Sequence, residues 1–248
     1  MAFCLRTAFL CLLAMPIFPG SVRSQEPHPF HVHDLWEMDR ISDPQVSPDG
    51  RWVAFGVSSL DMDANRRRSD LWMVSVEGGV PRPLTTDPAG EFNARWAPDG
   101  SGLYFLSTRS GSSQVWFIST GGGEARQVTD LPLGIGSMAV SPTGTHLAVS
   151  MEVFPDCPDL ACTVARLEAE EARASSGVLY DQLFIRHWDT WEDGRRSHVF
   201  AVSIQGGGEP LDLMRGMEAD CPSVPFGGPE EYTFTPDGRG VVFTARTA

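Results

Sequence analysis

A four-residue turn phrase, repeated down the chain, limits what this sequence can fold into more than any other feature. Ser47-Pro-Asp-Gly50 returns as Ala97-Pro-Asp-Gly100, Ser141-Pro-Thr-Gly144 and Thr235-Pro-Asp-Gly238. In each copy proline presets φ at the first central position of a turn, Asp tolerates the next, and Gly accepts positive φ. A short apolar segment precedes each phrase, and a β-branched and aromatic run follows it, at 52–57, 103–106, 147–150 and 241–244. The pattern predicts tight hairpins between short strands.

A second phrase alternates with the first: Asp70-Leu-Trp-Met-Val-Ser-Val-Glu-Gly-Gly79, Gln114-Val-Trp-Phe-Ile-Ser-Thr-Gly-Gly-Gly123 and His198-Val-Phe-Ala-Val-Ser-Ile-Gln-Gly-Gly207. It supplies a third strand, and its glycines lead into a short fourth one at 83–85 or 127–129. Four short antiparallel strands in about 45 residues, taken in series, describe β-propeller blades. The turn prolines Pro48, Pro98 and Pro142 are spaced by 50 and 44 residues, but the next, Pro236, comes 94 later. From turn proline to third-strand aromatic the distance is 24, 18 and then 58 residues (Pro142 to Phe200), so the excess lies inside one blade. The expected fold is all-β: a partial, truncated β-propeller of four-stranded blades with one helical insertion. Its blades are read at 43–88, 91–131 and 137–213, the last with an insertion at 152–197, and a cut-short one at 229–248. A propeller closes with about four to eight blades, so the chain reads as truncated at its C-terminus.

Residues 1–24 read as a secretory signal, with Arg6 as the basic end, 9–15 as the apolar core and Val22-Arg-Ser24 as the cleavage site. The apolar run is too short for a membrane span. The expected location is periplasmic or secreted. The chain has no lysine and a formal net charge of −13, and loss of Arg6 and Arg23 with the signal would make it −15. That balance argues against nucleic acid and anionic membranes as partners. Residues 25–42 form an N-terminal segment in which Leu35, Met38 and Ile41, with Trp36 beside them, predict a short helix. His31 and His33 could form a metal pair, but no further ligand accompanies them at suitable spacing, and no metal or cofactor is expected. Residues 61–69, with Arg66, Arg67 and Arg68, read as a solvated loop or a docking point for another domain. Trp96, Tyr104, Phe105 and Trp116 read as core between blades. The turn aspartates read as turn formers rather than calcium ligands, since Thr143 replaces one of them.

The insertion opens on Cys157 and Cys162, five apart in a chain expected to be exported, which predicts a small disulfide loop. A zinc site would need a second Cys/His pair that does not follow. With Cys4 and Cys11 in the signal, Cys221 is left over. Thr163 is the expected cap of a helix running to Ala174, with Arg166 and Glu170 paired across one turn, projecting from the sheets. Beyond it, Arg186-His-Trp-Asp-Thr-Trp191 sets two indoles, an imidazole and a carboxylate together. Such a group suits a small cationic ligand such as an α-amino group. On residue types alone the preferred reading is structural: a strand whose indoles pack on the next blade while Asp189 caps a turn.

The repeated Ser-Pro-Asp-Gly, Leu-Trp-x-Val, Gly-Gly and Leu-Thr phrases resemble those of TolB-like propellers. The segment Leu179-Tyr-Asp-Gln-Leu-Phe-Ile-Arg-His-Trp-Asp-Thr-Trp191 resembles the propeller part of prolyl oligopeptidase family serine peptidases, in the dipeptidyl-peptidase V and acylaminoacyl-peptidase-like branch. The resemblance implies a propeller that covers an α/β-hydrolase domain and restricts access to peptides. It also implies that His187, Trp188, Asp189 and Trp191 approach the substrate's free N-terminus, with Asp189 facing the ammonium. The implied partners are a peptide substrate, reached through a hydrolase domain absent from this chain, and further copies of the full-length enzyme. No Gly-x-Ser-x-Gly nucleophile elbow occurs, so neither His187 nor His198 is assigned as a triad base, and the chain alone is expected to be inactive. A stand-alone TolB-like periplasmic scaffold that binds a protein is the alternative; a metal- or sugar-binding propeller has little in its favour.

Overall fold

The computed structural model of the protein describes residues 28–180 and 185–247. The expected export signal at 1–24, Cys4 and Cys11, and residues 181–184 of the insertion lie outside the described residues. The protein is mostly β, built on three four-stranded antiparallel sheets that follow one another along the chain. After a one-turn helix, α1 (Asp34–Glu37), the first holds β1 (Arg40–Val46), β2 (Trp52–Asp61), β3 (Arg66–Ser75) and β4 (Arg82–Pro83), in that order. The second repeats it with β5 (Glu91–Trp96), β6 (Gly102–Ser107), β7 (Gln114–Ser119) and β8 (Arg126–Gln127). In the third, β9 (Ile135–Val140) and β10 (His146–Val153) pair as before. Helix α2 (Leu160–Glu171) and the small hairpin β11 (Arg186–His187) and β12 (Thr190–Trp191) then intervene before β13 (Arg196–Ser203) and β14 (Leu211–Asp212) complete the sheet. After β15 (Ala219–Asp220), β16 (Tyr232–Phe234) pairs with β17 (Val241–Phe243), and β18 (Arg246–Thr247) returns to β15.

The turn phrase acts as its residues dictate. Gly50, Gly100, Gly144 and Gly238 all take φ between 67 and 73°, where a side chain would be strained. Each glycine N–H donates to the carbonyl three residues back, at 2.8–2.9 Å. Asp49 Oδ1 accepts from Ser47 Oγ and Arg51 N, and Asp237 Oδ1 accepts from Thr235 Oγ1 and Arg239 N. Asp99 Oδ1 does the same with Ser101 N and Oγ. These side-chain bonds hold all three carboxyls below the usual range.

Successive sheets pack through their faces. Ala54, Leu71 and Met73 of the first meet Leu103, Phe105 and Ile118 of the second. Tyr104, Leu106 and Val115, on the other side of the second sheet, meet Met138, Leu147 and Val149 of the third. Burying each such Leu or Phe contributes about 1.5–3 kcal/mol. One polar residue, always five before the turn proline, reaches forward across each junction. Asp43 accepts from Arg95 Nη1 at 2.7 Å, Asn93 Oδ1 accepts from Met138 N at 2.7 Å, and Ser137 Oγ lies 2.8 Å from the Tyr232 hydroxyl. Asp43 and Asn93 take positive φ, of 48 and 52°, where the first strand bulges, which turns their side chains outward.

Several local expectations are corrected. The N-terminal helix is one turn, Asp34–Glu37, with no buried residue to anchor a longer one, and Ile41 belongs to β1. Arg66, Arg67 and Arg68 are not in a loop but extend β3, paired opposite Asp61, Leu60 and Ser59. The fourth strands β4 and β8 are two residues long and end before the expected Leu-Thr and Val-Thr. There Thr85 and Thr129 offer Oγ1 to the amides of Leu71 and Val115 at 2.9 Å, replacing a ladder carbonyl. Helix α2 starts earlier than expected because Asp159, not Thr163, caps it, accepting from Cys162 N at 2.8 Å. Arg166 pairs with Asp156 through two bonds rather than with Glu170, since Asp156 and the Phe154 ring lie beside it. The helix does not project: Thr163 is buried, and Leu160, Val164 and Leu167 pack on the core between the second and third sheets.

Candidate functional site

The insertion leaves the third sheet between β10 and β13, at the end opposite the Pro-Thr-Gly turn. Its first part is fixed by the Cys157–Cys162 disulfide and by Arg215, whose guanidinium donates to the Pro158 carbonyl. Its second part is the β11–β12 hairpin, which carries His187, Trp188, Asp189 and Trp191. Arg186 pairs with Trp191 and His187 with Thr190, leaving Trp188 and Asp189 as the two-residue tip. The guanidinium of Arg186 lies 5.3 Å from the Trp191 ring centre, and Tyr180 stacks on that ring's system at 5.8 Å. Trp188 and Asp189 are exposed, while His187 is half-buried.

Trp188 takes φ of 46°, a left-handed conformation that the other non-glycine cases here leave to Asp and Asn. For a bulky side chain that costs about 1–2 kcal/mol and points to an imposed role. The Trp188 ring packs edge-on against Phe226, centroids 5.3 Å apart, although both are about three-quarters exposed, at 75% and 76%. Trp188 thus rests on the loop that leads into the next strands rather than on a sheet face, and among the described residues Asp189 shows no capping bond. Phe226 sits in a tight loop closed by Gly227 N donating to Ser223 O and by Glu231 Oε2 accepting from Ser223 N. A Cβ on Gly227 would fall 2.3 Å from Ser223 N, so only glycine lets the loop close this way.

That loop lines one side of a cleft of about 530 Å³, whose other walls are Ile135, Ser150, Met151, Glu152 and Arg195. Arg195, which lines the cleft, and Arg196, the first residue of β13, form ion pairs at the root of the hairpin that residue types alone do not reveal. Arg195 contacts Glu152 at 3.0 Å and Asp193 at 2.6 Å; Arg196 lies 3.6 Å from both Glu192 and Asp220.

The remaining candidates do not join this site. His198 is fully buried, with Nδ1 3.0 Å from Asp212 Oδ2 and Nε2 3.0 Å from the Met217 carbonyl, so its ring ties β13 to β14 and to the loop that follows it. The Cys221 thiol is free and buried, and burial pushes it up to about 11, which makes it a poor nucleophile. Among the described residues no group of three or more His, Cys, Asp or Glu is arranged to hold a metal ion. An exposed carboxylate such as that of Asp189, at a tip that also carries an exposed indole, can hold an ammonium group.

Comparison with known proteins agrees with this architecture. Residues 38–156 match the TolB beta propeller domain. The chain is 26% identical over 211 residues to a dipeptidyl-peptidase 5 of Porphyromonas gingivalis, covering 84% of this chain and 30% of that protein. It is 33% identical over 89 residues to a dipeptidyl-peptidase 5 of Aspergillus fumigatus, covering 32% of this chain and 12% of the relative. The fold aligns with that of an acylaminoacyl peptidase solved with Z-Gly-Gly-Phe-chloromethyl ketone, at a TM-score of 0.57 and 13% identity, over 84% of this chain and 28% of the other. The repeats are thus similar to those of the TolB beta propeller domain, the sequence is similar to parts of dipeptidyl-peptidases 5, and the fold is similar to part of an acylaminoacyl peptidase. It spans 12–30% of the length of these curated relatives.

Proposed function

We propose that this chain is the non-catalytic propeller portion of an exported serine exopeptidase of the prolyl oligopeptidase type. In this reading the three sheets and the C-terminal strands form part of an incomplete propeller ring. The ring gates peptide access to a hydrolase domain outside these residues, and Asp189 binds the ammonium of the substrate's free N-terminus. The observation that carries the reading is the β11–β12 hairpin: it departs from the repeat, carries an exposed carboxylate at a tip shared with Trp188, and holds Trp188 in a strained conformation. Relatives whose names are dipeptidyl-peptidases support the substrate class. In the full-length enzyme Asp189→Ala should raise KM for dipeptidyl substrates with a free amine by about 10- to 100-fold, as expected for a charge-assisted bond of about 1.5–3 kcal/mol. N-blocked analogues should be unaffected. Equal effects on both would remove Asp189 from amine binding.

A second reading, a stand-alone TolB-like scaffold for a protein partner, is favoured by one observation: the TolB domain match ends at residue 156, before the hairpin. A reading frame beyond Ala248 that encodes Gly-x-Ser-x-Gly would decide for the peptidase.

A further inference from the structure

Two paired positions do not hold a β-ribbon in one orientation in water, and among the described residues β11–β12 has the pairs Arg186–Trp191 and His187–Thr190, closed by Glu192 N donating to the Ile185 carbonyl. Something else must fix where its tip points. At the root, each of two consecutive arginines joins the descending arm of the hairpin to the sheet framework. Arg195 joins Asp193 on the arm to Glu152 at the end of β10. Arg196 joins Glu192 on the arm to Asp220 in β15, with Glu218 at 4.0 Å. Both guanidiniums are largely withdrawn from solvent, with 27% and 24% side-chain exposure, so these pairs are less screened than surface ones. At the tip, Trp188 rests on Phe226, which is presented by a closed loop whose neighbouring residues Pro225 and Gly227 line the cleft.

We propose that Arg196 and Phe226 are positioning residues that hold Asp189 at a fixed place beside the cleft, and so set the enzyme's preference for a free N-terminus. This rests on the reading of Asp189 as the ammonium partner. Phe226 acts through Trp188, which precedes Asp189 at the tip, and Arg196 acts through Glu192, which follows β12; neither touches the substrate.

The experiment uses the full-length enzyme with Phe226→Ala, Phe226→Tyr, Arg196→Gln and Arg196→Lys. Phe226→Ala and Arg196→Gln should raise KM for free-amine dipeptidyl substrates by severalfold or more with kcat unchanged, and leave N-blocked substrates alone. Phe226→Tyr and Arg196→Lys should restore most of the loss. The Asp189→Ala, Phe226→Ala double variant should be no worse than Asp189→Ala. A loss shared equally by blocked substrates, or a double variant whose effects multiply, overturns the proposal. A readout without substrate separates this from the amine-binding reading: hydrogen exchange of segment 185–192, whose Glu192 N–H bonds Ile185 O, should speed up at least tenfold in both losing variants. If Asp189→Ala is silent but exchange speeds up, amine binding fails while the clamp stands. Unchanged exchange overturns the clamp whatever the kinetics. Should Arg196→Gln not fold, the exposed Phe226 carries the test alone.

Discussion

The second sheet and the insertion of the third occupy the same stage of the repeat, yet they are held by different kinds of force. Between β6 and β7 the chain turns back through Ser107–Gln114 pairing, and almost every side chain of β6 is buried. Between β10 and β13 more than forty residues intervene, and the β11–β12 hairpin within them has no buried residue. The regular sheet is stabilised by apolar area and by ladder bonds that recur with the period. The hairpin is stabilised by a few ion pairs and ring contacts that recur nowhere. Structure that the repeat fixes is therefore cooperative, and structure added between its strands is locally adjustable.

The largest effect should come from breaking the regular side. Phe105→Ala, at a fully buried position between the first two sheets, should cost about 3–5 kcal/mol in denaturant unfolding. Trp188→Ala in the hairpin should shift the same midpoint within about 0.5 kcal/mol, as surface changes do. A hairpin variant that unfolds the protein would end the contrast. Next comes the threonine pin: Thr129→Val leaves the Val115 amide and the Gln114 carboxamide oxygen short of a buried partner, a loss of about 1–3 kcal/mol. Thermal unfolding of the valine variant reads it directly.

A third difference is pH-dependent. Glu91, buried beneath Arg109 at 2.6 Å, is pushed up to about 7, chiefly by burial, which outweighs the guanidinium and the Thr85 bond. The folded state holds this proton more tightly than the unfolded chain, whose value is near 4.5. Stability should therefore fall as pH rises from about 4.5 to 7 and stay lower above that. Glu91→Gln should flatten this part of the stability profile, and Asp189→Asn should not. The smallest effect is expected at the turns. Asp49, Asp99 and Asp237, held low by their hydrogen bonds, stabilise their hairpins above the usual carboxylate value of 3.8 and lose this as pH falls through their lowered values. Relative to the intrinsic exchange rate at each pH, amide protection at these three turns should fall in acid, while that of the Thr143 turn stays level.

The turn phrase, the strand pairs and the likeness to the TolB propeller domain were legible because each rests on local backbone chemistry that recurs. The Arg66–Arg68 stretch was misread because an extended ribbon wet on both faces has no apolar alternation to betray it. Asp159 was passed over as the helix cap because the disulfide places the first turn earlier than Thr163 suggests. Phe226 was invisible as the seat of Trp188, since the contact joins two loops with no periodic relation. The forward-reaching residues Asp43, Asn93 and Ser137 were hidden differently: their position recurs but their chemical type does not, so a comparison of letters skips them while spacing from the turn proline finds them.

These three residues carry an implication for how such chains grow. Each sheet is fastened to its successor by such a side chain and an apolar face, joined at the first seam by Trp96 Nε1 donating to the Gln45 carbonyl and Arg82 donating to the Thr120 carbonyl. A gene segment encoding one sheet could be copied or deleted with only the two adjoining seams to readjust, so the array can change length over evolutionary time without a redesign of its interior.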